Sequence, residues 1–339
     1  YSGLIAFTVS IISVITGTIF VIMVTRRLSP EDLGLWTLIG TLVSYVIIIR
    51  PMITYWSTRQ LSRGEEVGKT TVFTSGLFSV FSTIGYLGFA FYFAITTNSD
   101  LNVILLATIL VPLSFFYNSF NSIAIARRPQ AISYGLIIFE TVKIPLGLIL
   151  VVVFDLEILG AILTVILAEF ARLSFVSIMI RKEIRGNISI KYIRFWIQMS
   201  WLTIYQNFSG FIRTLDVVIF TVLTGSLIGL AYWGIAKTVS ALVSHSEKMT
   251  QGLYPKILAT KKKEFAEEAM KRTMFLAIPT FSMTIIFVKP ILYILNPVYV
   301  DGVLIALVMT IRGFAFMFNN ISFELLSAFD SVDENKQTS

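Results

Sequence analysis

The chain has 339 residues, of which 55% are hydrophobic and 14% charged, and its mean hydropathy is +0.80. A soluble domain cannot cover that much apolar surface, because surface-to-volume scaling leaves a large share of it wet. The net charge of +7 sits in loops rather than along one basic face, which argues against a nucleic-acid partner, and the lack of cysteine excludes disulfides, thiolate catalysis and cysteine metal sites.

Charge is clustered, leaving windows of about twenty residues nearly free of it, the helix length that crosses a hydrocarbon core of about 30 Å. These windows predict an all-α, polytopic transmembrane bundle of about ten spans. In chain order they are Ile5–Val24, Gly34–Trp56, Thr74–Ile95, Leu101–Phe120, Tyr134–Phe154, Ile158–Ile180, Trp201–Leu223, Ile228–Ser244, Met274–Val288 and Val303–Leu326. The first is too long for a signal-peptide core and lacks a small-residue cleavage site, so it is read as a span; a start at Tyr1 suggests residues missing before it. The second opens in RRLSPEDLG, where Ser29 can cap, Pro30 suits the first helical position and Asp32 completes a capping box. The ninth is the least regular, since Lys289-Pro290 precedes a further apolar piece, ILYIL.

The loops after spans two, four, six and eight hold seventeen of the 27 lysines and arginines, against Arg26, Arg27 and Lys289 on the other side. The positive-inside rule then places the N-terminus and the seventeen in the cytoplasm, with the cell membrane as the host bilayer. Anionic lipid headgroups are the partner this basic excess implies. KKKEFAEEAMKR, residues 261–272, sets Lys263–Glu267, Glu267–Lys271 and Glu268–Arg272 at i,i+4, the pattern of a solvated connector helix.

Ionisable residues inside spans cost about 2.5–3.5 kcal/mol each on insertion scales and are functional candidates by default. Glu140–Lys143, Glu169–Arg172 and Arg213–Asp216 stand at i,i+3, where each pair can neutralise itself. Alternatively one of the acids, Asp216, Glu140 or Glu169, is a proton or sodium site. Asp216 is favoured because Gln206, Asn207 and Thr214 share its span. Arg50, Lys237 and Arg312 have no acid at three or four residues. Arg50 can snorkel to the cytoplasmic interface and Lys237 can rest on Trp233, one turn back. Buried dry, the three would cost on the order of 8–10 kcal/mol, which a water-filled cavity would largely remove. A cation-lined cavity favours an anionic cargo, so Lys237, Arg312, Arg50 and Arg213 are candidates to bind its headgroup. Tyr232 and Trp233, beside Lys237, could stack on sugar rings. The lone histidine, His245, ends the eighth span and is read as interfacial.

Several stretches resemble the polysaccharide and O-antigen (Wzx-type) flippases of the multidrug/oligosaccharidyl-lipid/polysaccharide (MOP) exporter superfamily. RRLSPEDLGLW is similar to the family's first external turn. TLDVVIFTVLTGSLIGLAYWGIAK is similar to its second-half counterpart, with Asp216, Gly229, Tyr232 and Ala236 at matching positions, and LYPKI and NPVYVDGVLIAL are similar to pieces flanking helices nine and ten. The resemblance implies two pseudo-symmetric lobes that open alternately to each side. GTIFVIMVTRRLSPEDLGLW and LDVVIFTVLTGSLIGLAYW form a weak internal repeat consistent with that plan. The lobes fall at residues 1–195, with about six spans, and 196–339, with about four. Family members have twelve to fourteen spans, so the second lobe is expected to be incomplete. The implied cargo is a polyprenyl- or dolichyl-linked oligosaccharide carrying phosphate or pyrophosphate, with glycosyltransferases or a polymerase of the same pathway as further partners. Neither a cofactor nor a metal is expected.

Two other functions compete with this. A drug or cation antiporter of the same superfamily would be expected to carry an acid in the first span, and Ile5–Val24 has none. A membrane glycan-processing enzyme would need paired acids, a metal site or a catalytic histidine, and ATP hydrolysis would need a phosphate-gripping glycine loop that the sequence lacks.

Overall fold

The computed structural model describes residues 2–244 and 263–329, with all their side chains except those of 2–8, 10, 11, 202–211, 213, 214, 323, 324 and 326–329. The described chain is helical throughout. Its helices are α1 (Ser2–Arg27), α2 (Pro30–Val46), α3 (Pro51–Ser62), α4 (Gly68–Thr97), α5 (Leu101–Leu106), α6 (Leu110–Arg127), α7 (Gln130–Gly147), α8 (Glu157–Met179), α9 (Ile190–Met199), α10 (Trp201–Thr224), α11 (Leu227–Ser244), α12 (Lys263–Ile286), α13 (Val288–Leu295) and α14 (Val303–Phe329). Short 3₁₀ turns join α5 to α6 and lead into α14, and a π segment, Leu148–Val153, extends α7.

Six helical rods are long and apolar enough to cross a bilayer, and two bent helix pairs raise the number to eight among the described residues. With α1 and α10, helix covers all ten expected spans. Their outer faces are apolar: on α4, Val80, Phe81 and Ile84 are each more than half exposed, a surface suited to lipid and not to water. The chain is a multi-pass membrane protein.

Three expectations about helices need correction. The predicted second span is two helices, α2 and α3, bent by 59°. Pro51 causes the bend, because it has no N–H to give to the Ile47 carbonyl. The orphaned oxygen instead accepts from the backbone N–H of Arg50, at 3.1 Å, and from its Nε, at 3.0 Å. That rearrangement frees the carbonyl of Val46, to which Ser82 of α4 donates at 2.7 Å. The predicted ninth span is likewise broken, α12 and α13 meeting at 71°. Here the bend falls at Phe287, and Pro290 lies in the first turn of α13, where a missing N–H costs nothing. Finally, the described part of the charged stretch 261–272 is no separate connector. From Lys263 onward it forms the first turns of α12, with Lys263–Glu267 at 3.7 Å and a Glu268–Arg272 pair. The Ser29 cap stands as predicted: its Oγ accepts from Asp32 N at 3.1 Å, with Pro30 at the first helical position.

Contacts divide the chain into two units, residues 1–231 and 232–339. In the first, α7 packs along α8, α4 along α6, α1 along α7 and α3 along α6. One end of this unit is closed by Ile53, Leu61, Ile123, Ile180 and Trp196, with Trp196 Nε1 donating to Gln60 Oε1 at 2.9 Å. In the second, α12 packs on α14 around Ala269, Ala277, Met317 and Ile321.

Glycine permits close backbone approaches in the first unit. A Cβ on Gly34 would meet the backbone carbonyl of Leu227, and one on Gly68 the carbonyl of Glu183. Gly40, six residues beyond Gly34 on the same helix, has open space instead. Gly34→Ala should therefore destabilise the purified protein by about 1–3 kcal/mol through overpacking. Gly40→Ala should be neutral or stabilise it by up to about 1 kcal/mol through helix propensity. Thermal unfolding in detergent, followed by tryptophan fluorescence, separates the two; equal midpoints would contradict the packing.

Candidate functional site

The first unit places two acid–base pairs inside the helix bundle. On α7, Glu140 and Lys143 are each 6% exposed and their charged atoms lie 2.6 Å apart. The carboxylate is further satisfied from α1: Ser13 Oγ donates to one oxygen at 2.8 Å and Thr16 Oγ1 to the other at 2.7 Å. Lys143 Nζ sits 5.6 Å from the Phe20 ring centroid and 4.8 Å from that of Phe139, so apolar neighbours also meet its charge favourably. On α8, Glu169 pairs with Arg172. The Arg172 guanidinium lies 3.7 Å over the Tyr117 ring and 4.6 Å from Phe139.

Phe139 thus contacts a cation of each pair, and the two pairs form one cluster spanning α1, α6, α7 and α8. Arg50 stands at the α2–α3 bend. It is half-buried, and its Nε donates to the Ile47 carbonyl. The i,i+3 pairing read from sequence is therefore present in both described cases. Ser13, Thr16, Tyr117 and Phe139 escaped the sequence reading. Only Ser13 and Thr16 left a trace there, as two hydroxyls three residues apart on one face of an apolar helix.

The remaining candidates lie elsewhere. Asp216 on α10 is half-buried, and its Oδ1 accepts from Val217 N at 2.9 Å. The side chains of Arg213, Gln206, Asn207 and Thr214, and the whole of His245 and LYPKI, lie outside the described residues. In the second unit Lys237 is exposed, with Nζ 4.9 Å from the Trp233 ring centroid. Arg312, on α14, is also exposed and has Nη1 3.8 Å from Met309 Sδ. Tyr232 is half-buried, donates to the Val298 carbonyl at 3.1 Å and meets Tyr299 edge-on at 5.6 Å. No group of three or more His, Cys, Asp or Glu that could hold a metal occurs among the described residues.

No protein-family model matches the sequence, and no curated protein matches it. Solved structures do. An inward-facing multidrug resistance MATE family transporter of the MOP superfamily matches with a TM-score of 0.69 at 12% identity, over 96% of this chain and 84% of that one. A MATE protein in the straight conformation gives 0.61 at 14% identity, over 96% and 80%. The Vibrio cholerae MATE transporter VcmN in its bent form gives 0.50 at 13%, over 93% and 85%. At these identities the likeness is one of fold: the chain has the fold of MATE family transporters of the MOP superfamily.

Removing one partner of a buried pair leaves an uncompensated charge, which costs about 3–5 kcal/mol. Lys143→Met should therefore destabilise the protein by that amount, and Glu140→Gln/Lys143→Met should recover most of the loss. Urea or thermal unfolding in detergent measures both. A double variant no more stable than the single one would contradict the pairing.

Proposed function

We propose that this protein is a flippase of the Wzx type, carrying a lipid-linked oligosaccharide across the cytoplasmic membrane for polysaccharide or glycan synthesis. The cargo is a glycan on a polyprenyl or dolichyl phosphate or pyrophosphate. One observation carries the reading: Lys237 and Arg312 are exposed near the middle of membrane-length helices, Leu227–Ser244 and Pro297–Ser322. Facing hydrocarbon, each would cost about 2.5–3.5 kcal/mol. Facing a wet path, each can meet an anion instead. The headgroup phosphate would meet these cations while the lipid tail stays in the bilayer. Trp233, and the exposed part of Tyr232, offer aromatic surface to sugar rings. Alternating access requires no covalent chemistry, so the protein acts as a carrier rather than an enzyme. A cytoplasmic N-terminus, lobes at residues 1–195 and 196–339, and docking of pathway glycosyltransferases or a polymerase belong to the same reading.

A second reading has its own support. The antiporter alternative wants an acid at the first span, and the fold brings one there from α7, since Glu140 accepts hydrogen bonds from Ser13 and Thr16. Under that reading Glu140, with Glu169 and Asp216 as alternatives, exchanges a proton or sodium ion while an organic cation moves.

Transport in reconstituted vesicles decides between the readings. Lys237→Gln and Arg312→Gln should each reduce transfer of a polyprenyl-pyrophosphate glycan at least about tenfold, the scale of one lost charge-assisted hydrogen bond, without lowering the thermal midpoint. Full transfer by both variants would sink the cation role. Proton- or sodium-driven efflux of an organic cation that Glu140→Gln abolishes would establish the antiporter instead.

A further inference from the structure

The short helix α9 lies in the chain between the sixth and seventh expected spans. Its inward face carries Tyr192, Phe195 and Trp196, which join a core that includes Leu61, Val67 and Ile180. Those three stand at or beside the ends of α3, α4 and α8. Two hydrogen bonds fix α9 there: Ser189 N donates to Thr70 Oγ1 of α4 at 3.1 Å, and Trp196 Nε1 donates to Gln60 of α3. The helix therefore sits at one end of the bundle, the level at which hydrocarbon gives way to water.

Its opposite face is also apolar, and it is bare. Ile190 is 78% exposed, Ile197 49% and Trp201, just past the helix, 69%. Ile190 and Ile197 are seven residues apart and so share one face, with Arg194 between them. Lys191, three residues before Arg194, borders the same stripe, and both cations are exposed. Left in water, such a stripe costs free energy in proportion to its apolar area. The charge is equally one-sided. Between α8 and α10 stand Arg181, Lys182, Arg185, Lys191 and Arg194, against one acid, Glu183. That acid is taken by Arg128, at 3.2 Å, and no ion pair to Lys191 or Arg194 occurs among the described residues. Isoleucines and an indole that favour hydrocarbon, beside cations that favour anions, fit the boundary of acyl chains and phosphates in an anionic leaflet. The long basic stems can lie along that boundary and lift their charges to the phosphates. A zwitterionic leaflet would take the apolar groups and offer the cations no net charge.

We propose that α9 is a surface anchor that binds anionic phospholipid. Ile190, Ile197 and Trp201 enter the acyl boundary, and Lys191 and Arg194 meet headgroup phosphate. The basic loops imply anionic lipid in general; here one helix face is assigned to it. The inference is independent of the cargo, whether glycan lipid or organic cation.

The test uses the full chain in phosphatidylcholine vesicles with rising fractions of brominated phosphatidylglycerol or brominated phosphatidylcholine. Bromine on an acyl chain quenches tryptophan nearby, and the Trp201 share is the difference between the parent and Trp201→Phe. Half-maximal quenching of that share should need an at least about fivefold lower fraction of phosphatidylglycerol than of phosphatidylcholine, the scale of one cation at an anionic surface. Lys191→Gln/Arg194→Gln, measured against its own Trp201→Phe background, should bring the preference down to about twofold or less. Lys289→Gln, an exposed cation of the second unit, should leave it unchanged. Raising NaCl to about 0.5 M should reduce the preference of the parent as well, because the Debye length shortens. That arm needs no substitution and decides the matter if the double variant fails to fold. Equal quenching by the two lipids, an undiminished preference in the double variant or at high salt, or an equal loss in Lys289→Gln would each overturn the proposal. So would a Trp201 that neither lipid quenches, since the stripe would then face water or another protein.

Discussion

Hydrocarbon offers no hydrogen bonds, and each polar group that enters it must be satisfied within the protein. This constraint explains most of the unusual local structure in the first unit. Where Pro51 withholds an N–H, Arg50 and Ser82 supply the missing donors. Where Glu140 enters the bundle, Lys143 neutralises it and α1 offers two hydroxyls. Where Lys143 and Arg172 need more than one carboxylate each, aromatic faces complete the shell. The helices pack as they do partly because these polar debts can be met only at their contacts.

The charges in the membrane-length helices fall into two kinds. Glu140, Lys143, Glu169 and Arg172 are enclosed, and their worth is structural unless a proton or ion displaces a partner. Lys237 and Arg312 are exposed, and each meets a neighbour on its own helix, Trp233 and Met309. Enclosed charges suit coupling, because a change of protonation would alter helix contacts directly. Exposed cations suit cargo, because an anion can reach them. One fold can hold both, which is why the carrier and antiporter readings rest on different residues.

Much of this was legible in the sequence. Helix positions followed from runs of apolar residues, and the pairs Glu140–Lys143 and Glu169–Arg172 followed from three-residue spacing on one helix. Both signals are local. What escaped was long-range: Ser13 and Thr16 lie more than a hundred residues from Glu140, and nothing in their spacing names a partner. Phe139 looked like one more core aromatic among 28 phenylalanines until its place between two cations was seen. The bend at Pro51 was missed for another reason: apolar character continues through it, and hydropathy does not register a lost N–H.

The α2–α3 elbow has a mechanical consequence. Its angle is set by a ring that cannot donate, and its exposed carbonyls are taken up by Arg50 on one side and by the neighbouring rod α4 on the other. Straightening it would strand those oxygens and still leave proline in the way. The joint is therefore held at its angle by hydrogen bonds on both sides, and the one from Ser82 ties the elbow to α4.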